Sequence, residues 1–332
     1  MTNVLVTGGA GYVGSVMVPQ LLAQGYRVTV YDAMFFGHSG LPAHPNLTLI
    51  EGDIRDTPAL AKAFRDTDVV LHLACISNDP SFELDESLSK TINYDCFEPM
   101  VVAAREAGVK RFVYCSSSSV YGVSDKPDVT EDHPLVPLTL YNKYKGLCEP
   151  VLFKHQTPDF TCVTIRPATV CGYSPRMRLD LSVNILTNLA VNTGKITVFG
   201  GAQLRPNLHI QDMADVYQLM IEAPTEKIAG QIFNIGYQNL AIARIAEIVR
   251  EVVEREFPER APIRIETTST NDPRSYHINS DKIKRVLGYS PRRSVEDAVR
   301  DLCQAFRDGR LPNSLEDDRY FNVRRMKAVK AA

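Results

Sequence analysis

Short apolar runs, rich in β-branched residues, recur through the first half of the chain at 3–7, 27–31, 47–51, 69–73, 111–116 and 161–166. Between them lie longer segments whose apolar positions repeat with helical period, at 13–24, 58–64, 88–107 and 141–155. The short runs are nearly continuous in apolar character, which suits strands buried on both faces. Their alternation with helices implies parallel strands joined by right-handed crossovers. The pattern predicts an α/β fold built on a doubly wound parallel sheet.

Beyond about residue 167 the alternation loosens. Prolines, arginines and short strands mix with helical segments at 181–192, 212–222, 242–257 and 295–306, which reads as a smaller C-terminal α/β lobe that binds substrate. The predicted organisation is a first domain over 1–170 with a returning segment at about 205–225, a second lobe from 171–204 and 226–312, and a tail at 313–332. The tail is charged and weakly periodic, so it is expected to be exposed or loosely docked.

A chain of 332 residues, 44% of them hydrophobic, can fill both cores. A net charge of −2 gives no electrostatic reason to expect nucleic acid or an anionic membrane as partner. No apolar stretch reaches membrane-spanning length and the first residues carry no basic leader, so the expected location is cytoplasmic. The seven cysteines are scattered, without CxxC spacing or a partnering histidine cluster, which predicts reduced thiols and no metal site.

The turn after the first strand reads Thr7-Gly8-Gly9-Ala10-Gly11-Tyr12-Val13-Gly14 and opens the first helix. There Gly8, Gly11 and Gly14 meet three demands: a sharp turn, close approach of backbone to a pyrophosphate, and tight helix packing. The helix N-terminus offers free amides and a positive dipole end to the phosphates. This is the fingerprint of a dinucleotide-binding Rossmann domain. Asp32 ends the second strand about 20 residues further on, where a carboxylate accepts bonds from the adenosine ribose hydroxyls. Residues 33–37 contain no arginine or lysine for a 2′-phosphate, so NAD is favoured over NADP.

Tyr141 and Lys145 stand four apart on a predicted helix and share one face. The serine run Ser116 to Ser119 follows the fifth strand, at the carboxyl edge of the sheet where ligands of this fold bind. A tyrosine hydroxyl with pKa near 10 needs roughly 4 kcal/mol of phenolate stabilisation to act as a base at neutral pH. A lysine ammonium and an oxidised nicotinamide are the expected sources. Tyr141 is then the proton carrier, Ser117 the hydrogen-bonding partner of the same substrate oxygen, and Lys145 a further contact to the nicotinamide ribose. Fingerprint and catalytic group together indicate an enzyme that moves hydride to or from a nicotinamide ring.

With Glu51-Gly52-Asp53-Ile54, His72-Leu73-Ala74, Asn93, SSSSVYG, YNKYK, Arg166-Pro167, Gly200-Gly201 through Arg205, His209-Ile210-Gln211-Asp212 and Asp272-Pro273-Arg274-Ser275-Tyr276 also in place, the chain resembles the extended short-chain dehydrogenases/reductases. It is most similar to their nucleotide-sugar epimerase/dehydratase family, UDP-glucose 4-epimerase-like, to about Phe306. The resemblance implies that Gly8, Gly11, Tyr12, Val13, Gly14 and Asp32 hold NAD. It implies further that Asp53 and Ile54 contact adenine, that Leu73 and Ala74 line the pyrophosphate or ribose, that Pro167 lies near the nicotinamide, and that Asn93 and Lys145 belong to the cofactor site. Ser117, four before Tyr121, is at the family's catalytic serine or threonine position. Arg205 and Arg274 match arginines that hold a substrate diphosphate, with Thr169 and Asn184 as further substrate contacts. The family commonly pairs two subunits through helices corresponding to 88–107 and 141–155, which implies a homodimer.

Family members that are 4,6-dehydratases carry Asp-Glu directly after the catalytic threonine, and decarboxylating members tend to have glutamate at the second of these places. Here the positions are Ser118 and Ser119. The expected activity is therefore that of an NAD-dependent nucleoside-diphosphate-sugar 4-epimerase. A 4-keto-sugar reductase and a catalytically silent dinucleotide-sensing protein are the alternatives.

Overall fold

The computed structural model describes residues 1–270 and 275–331. Its strands are β1 (Asn3–Thr7), β2 (Arg27–Asp32), β3 (Leu47–Glu51), β4 (Val69–His72), β5 (Arg111–Cys115), β6 (Thr161–Pro167), β7 (Thr169–Cys171), β8 (Lys195–Phe199), β9 (Leu204–His209), β10 (Gln231–Ile235), β11 (Gln238–Ala241) and β12 (Arg264–Thr268). Seven of them form one parallel sheet in the order β10-β6-β5-β4-β1-β2-β3. Strand order reverses between β1 and β4, which opens a crevice at their carboxyl ends. Successive residues of β1 serve opposite cores. Val6 packs with Val30, Met17 and Phe233 on one face, and Leu5 packs with Tyr31, Phe97 and Phe112 on the other.

The smaller lobe pairs β8 with β12 and packs the helices Ser182–Thr193, Ile242–Glu256 and Val295–Arg307 around Val183, Ile245, Val249 and Val299. A third sheet, β11-β9-β7, draws its strands from three separated parts of the chain. The returning segment is displaced from its predicted bounds. β9 pairs in the three-stranded sheet, whereas the helix Ile210–Glu222 and β10 belong with the first domain, so the return runs from about 210 to 235. The helix end is fixed by buried Arg111 of β5, which donates to the carbonyls of Met220 (2.6 Å) and Ala223 (2.9 Å). Those oxygens lack partners within the helix, and a guanidinium there also suits the dipole.

Two further departures concern the site. The predicted helix 88–107 is broken into Glu86–Lys90, a π-helical turn Thr91–Asp95 and Phe97–Glu106. The tail, expected to be loose, is docked. The Leu179 amide donates to Tyr320 O (2.9 Å), Ser314 bonds to Asn188 (2.7 Å), and Leu311 and Tyr320 are buried against Tyr12, Met177 and Leu179. A few apolar anchors among many charges suffice to seat it. No helix among the described residues is long and apolar enough to cross a membrane.

Candidate active site

A continuous cavity lies over the carboxyl ends of the central strands, bordered by the glycine turn, the ends of β2, β4 and β5, and the segment following β6. Gly8 has φ +75°, in the left-handed region, and a Cβ there would stand 2.6 Å from the Ala74 amide nitrogen. A Cβ on Gly14 would stand 2.2 Å from Gly9 O. Both positions exclude a side chain, which keeps the turn against the strand and the helix Gly14–Ala23 against the turn. Asp32 accepts from the amides of Ala10 (3.0 Å) and Met34 (2.8 Å), so its carboxylate is fixed at the cavity edge. Burial raises its pKa, opposed by those two amides and by Arg176. The cradle, the bare helix end and the positioned acid fit a dinucleotide.

Asp53, Ile54, Leu73, Ala74 and Pro167 all border this cavity, as do Gly11, Tyr12 and Val13. Asn93 is not among the residues that border it. Its side chain is spent on the backbone of Ile76, accepting from its amide (2.8 Å) and donating to its carbonyl (2.9 Å), and the π-turn that carries it makes this reach possible. Its effect is to hold the loop after β4.

Of the four predicted substrate contacts apart from Ser117, Thr169 borders the cavity. Asn184 is fully buried behind the wall, accepting from the Gly172 amide (3.0 Å) and donating to Tyr12 Oη (3.0 Å) and Arg178 O (2.8 Å). It braces Tyr12, which donates to Gly172 O (2.6 Å). Arg205 lies over the ring of Tyr276, 5.4 Å from its centroid, and Tyr276 is the residue that meets the cavity. Arg274 is outside the described residues.

Ser117, Tyr141 and Lys145 meet in the same cavity. Ser117 Oγ is 2.7 Å from Ser119 Oγ, and Ser119 in turn bonds to Asn142 Oδ1. The helix Leu140–Phe153 starts at Thr139, whose hydroxyl accepts from the Asn142 amide and donates to Asp79 (2.6 Å). Lys145 Nζ donates to Cys115 O (2.7 Å) at the end of β5 and sits 5.2 Å from the centre of the Tyr114 ring. Burial, with Cys75, Cys115 and Asp79 nearby, pushes Tyr141 well above the ordinary tyrosine range. The charge of Arg178 opposes that rise.

Asp79, Arg176 and Arg178 are cavity residues that the sequence reading did not select. Arg178 is paired with Asp180 (3.0 Å) and approaches Ser77 Oγ (3.3 Å). Two arginines flanking Met177 in an otherwise apolar and proline-containing stretch were the available signal.

Residues 4–236 match the family described as the NAD dependent epimerase/dehydratase family. A UDP-glucose 4-epimerase of Lactobacillus helveticus is 30% identical over 325 residues, covering 90% of this chain and 94% of its own. A dTDP-glucose 4,6-dehydratase of Streptomyces griseus is 28% identical over 311 residues, covering 90% and 92%. The crystal structure of a dTDP-glucose 4,6-dehydratase of Streptomyces venezuelae with NAD bound has a TM-score of 0.81 at 26% identity, over 93% of this chain and 98% of its own. The chain that carries this cradle and acid belongs to the NAD-dependent epimerase/dehydratase family, and its cofactor is NAD.

Proposed function

We propose that this protein is an NAD-dependent nucleoside-diphosphate-sugar 4-epimerase. The observation that carries this reading is a cavity holding Ser117, Tyr141 and Lys145 together while the two positions after Ser117 are serines rather than an acid pair. The similarity to a UDP-glucose 4-epimerase supports it. When bound, NAD supplies the hydride acceptor and donor. Tyr141 takes the proton of the C4 hydroxyl and returns it to the same oxygen after the sugar has presented its other face. Ser117, oriented by Ser119, hydrogen-bonds that oxygen, and Lys145 is the cation that meets the nicotinamide ribose. In this reading Thr169 meets the sugar, Arg274 meets its diphosphate, and Arg205 acts on that site through Tyr276. The helices Phe97–Glu106 and Leu140–Phe153, the latter exposing Leu147, form the homodimer contact of a cytoplasmic enzyme.

Incubation with UDP-, dTDP-, GDP- and CDP-hexoses is expected to give a C4 epimer, seen by NMR, with no net change in reduced nucleotide. Stoichiometric oxidation of added NADH or NADPH would make the protein a keto-reductase, and a 4-keto-6-deoxy product would make it a dehydratase. Either result replaces the epimerase reading.

The arginine that opposes the rise in Tyr141 pKa gives a pH test. Tyr141 acts as phenolate, so kcat rises with pH through its pKa. Arg178 favours the phenolate, so Arg178→Met is expected to move the rising limb upward by about 1 pH unit, whereas Arg178→Lys keeps the charge and stays nearer wild type. An unmoved limb in Arg178→Met would show that Arg178 does not act on this proton.

A further inference from the structure

Part of the cavity wall is made by residues that no motif accounts for. Arg176 lies in the loop after β7 and is only 8% exposed, with its guanidinium carbon 3.7 Å from the centroid of Phe36, on the loop that follows Asp32. Nη2 donates to Asn322 Oδ1 at 2.7 Å. Nε and Nη1 have no partner among the described residues. Burial and the neighbouring Arg178 push its pKa down to about 9, against the pull of Asp180, Asp32 and Tyr12, so the group is still charged at neutral pH. A buried cation with two unsatisfied donors is costly unless something else completes it.

The same cavity has a matching shortage at the helix that follows the glycine turn. The helix Gly14–Ala23 begins with no side-chain cap and no acidic residue in its first turn, and it meets the cavity through Gly11, Tyr12 and Val13. A bare helix N-terminus and an incompletely bonded guanidinium bordering one cavity are suited to an anion between them. Asp32 does not fill that need, since it makes no hydrogen bond to the Arg176 guanidinium. Its charge also disfavours a 2′-phosphate at the adenosine ribose.

We propose that Arg176 is a binding residue for the diphosphate of NAD, and that the helix Asn322–Ala331 is a strap that holds it there. Asn322 grips the guanidinium while its own amide bonds to Asp180 (3.2 Å) and its Nδ2 to Ser77 Oγ (2.9 Å). Three residues on, Arg325 Nε donates to Phe35 O (2.6 Å), tying the strap to the loop after Asp32. The inference rests on NAD binding and is independent of the reaction catalysed.

The test is titration calorimetry of the full-length protein, stripped of nucleotide, with NAD, NADP and adenosine, together with thermal melting of the stripped protein. Arg176→Met keeps much of the side-chain length without the charge. It is expected to weaken NAD about 10- to 100-fold while adenosine, which has no phosphate, binds as to wild type. The stripped variant should melt at or above the wild-type temperature, because an unsatisfied buried charge is gone. Asn322→Ala leaves the charge and loosens its anchor, and should weaken NAD by a smaller factor. Equal weakening of NAD and adenosine with a lower melting temperature would make Arg176 a structural strut and overturn the proposal. Unchanged NAD affinity with a selective loss of NADP would assign it to a 2′-phosphate and overturn it as well. Should Arg176→Met not fold, NAD affinity in Asn322→Ala decides: a selective loss over adenosine supports the proposal and no loss rejects it.

Discussion

Tyr141→Phe is expected to lower kcat by about 10²–10⁴-fold, the range for loss of a positioned proton carrier, while the protein still purifies with its NAD. The two halves of this expectation come from different features. The ring of Tyr141 packs edge-on against Phe82, 6.4 Å between centroids, and phenylalanine preserves that contact. The dinucleotide cradle lies on the glycine turn and the end of β2, which the hydroxyl does not support. What disappears is the hydroxyl that, in the proposed function, exchanges a proton with the sugar. Single-turnover reduction of bound NAD by substrate, followed at 340 nm, is the direct readout. A variant that turns over at the wild-type rate would remove Tyr141 from the chemistry.

Arg166→Met is expected to be the most destabilising single change, by about 3–5 kcal/mol. Arg166 and Glu149 have side chains only 4% and 3% exposed and are joined by two bonds, at 2.6 and 2.9 Å. Glu149 also accepts from Ser116 Oγ (2.6 Å), and Arg166 donates to Tyr121 Oη (2.6 Å), which bonds to Asn234 of β10 (2.7 Å). Removing the guanidinium strands a carboxylate in the interior and breaks the link between Tyr121 and the helix that carries Tyr141 and Lys145. Urea unfolding should show the midpoint falling sharply. The double variant Arg166→Met with Glu149→Leu should recover much of the loss, because no charge is then left unpaired. A single variant with the wild-type midpoint would show that the pair contributes little.

The parallel sheet was legible because its strands are buried on both faces and therefore read as continuous apolar runs, as in Val4-Leu5-Val6 and Val69-Val70-Leu71. The cofactor turn was legible because steric exclusion at Gly8 and Gly14 leaves a mark in residue type. That Asn93 and Asn184 bond to backbone groups was not legible, since an amide that serves a ligand and one that ties down a backbone look the same in sequence. Arg176 and Arg178 were hidden for another reason. Their proximity to Asp32 and Tyr141 is created by the fold, across long separations, and no local spacing encodes it. The absence of a basic residue at 33–37 was true of the segment, yet tertiary contacts bring Arg176 onto Phe36 and Arg325 onto Phe35. The docked tail escaped notice because Leu311 and Tyr320 are few among many charges.

The seventh strand has a consequence for synthesis. β6 is buried along its whole length, and one of its edges is covered by β10, whose sequence begins only at Gln231, well after β6 ends at Pro167. Until then the nascent chain presents an open, apolar strand edge, the kind that templates pairing with other chains. At ribosomal speeds of about 5–20 residues per second this interval lasts seconds. The first domain therefore cannot finish folding as it leaves the ribosome, and a fragment ending near residue 170 keeps that sticky edge permanently.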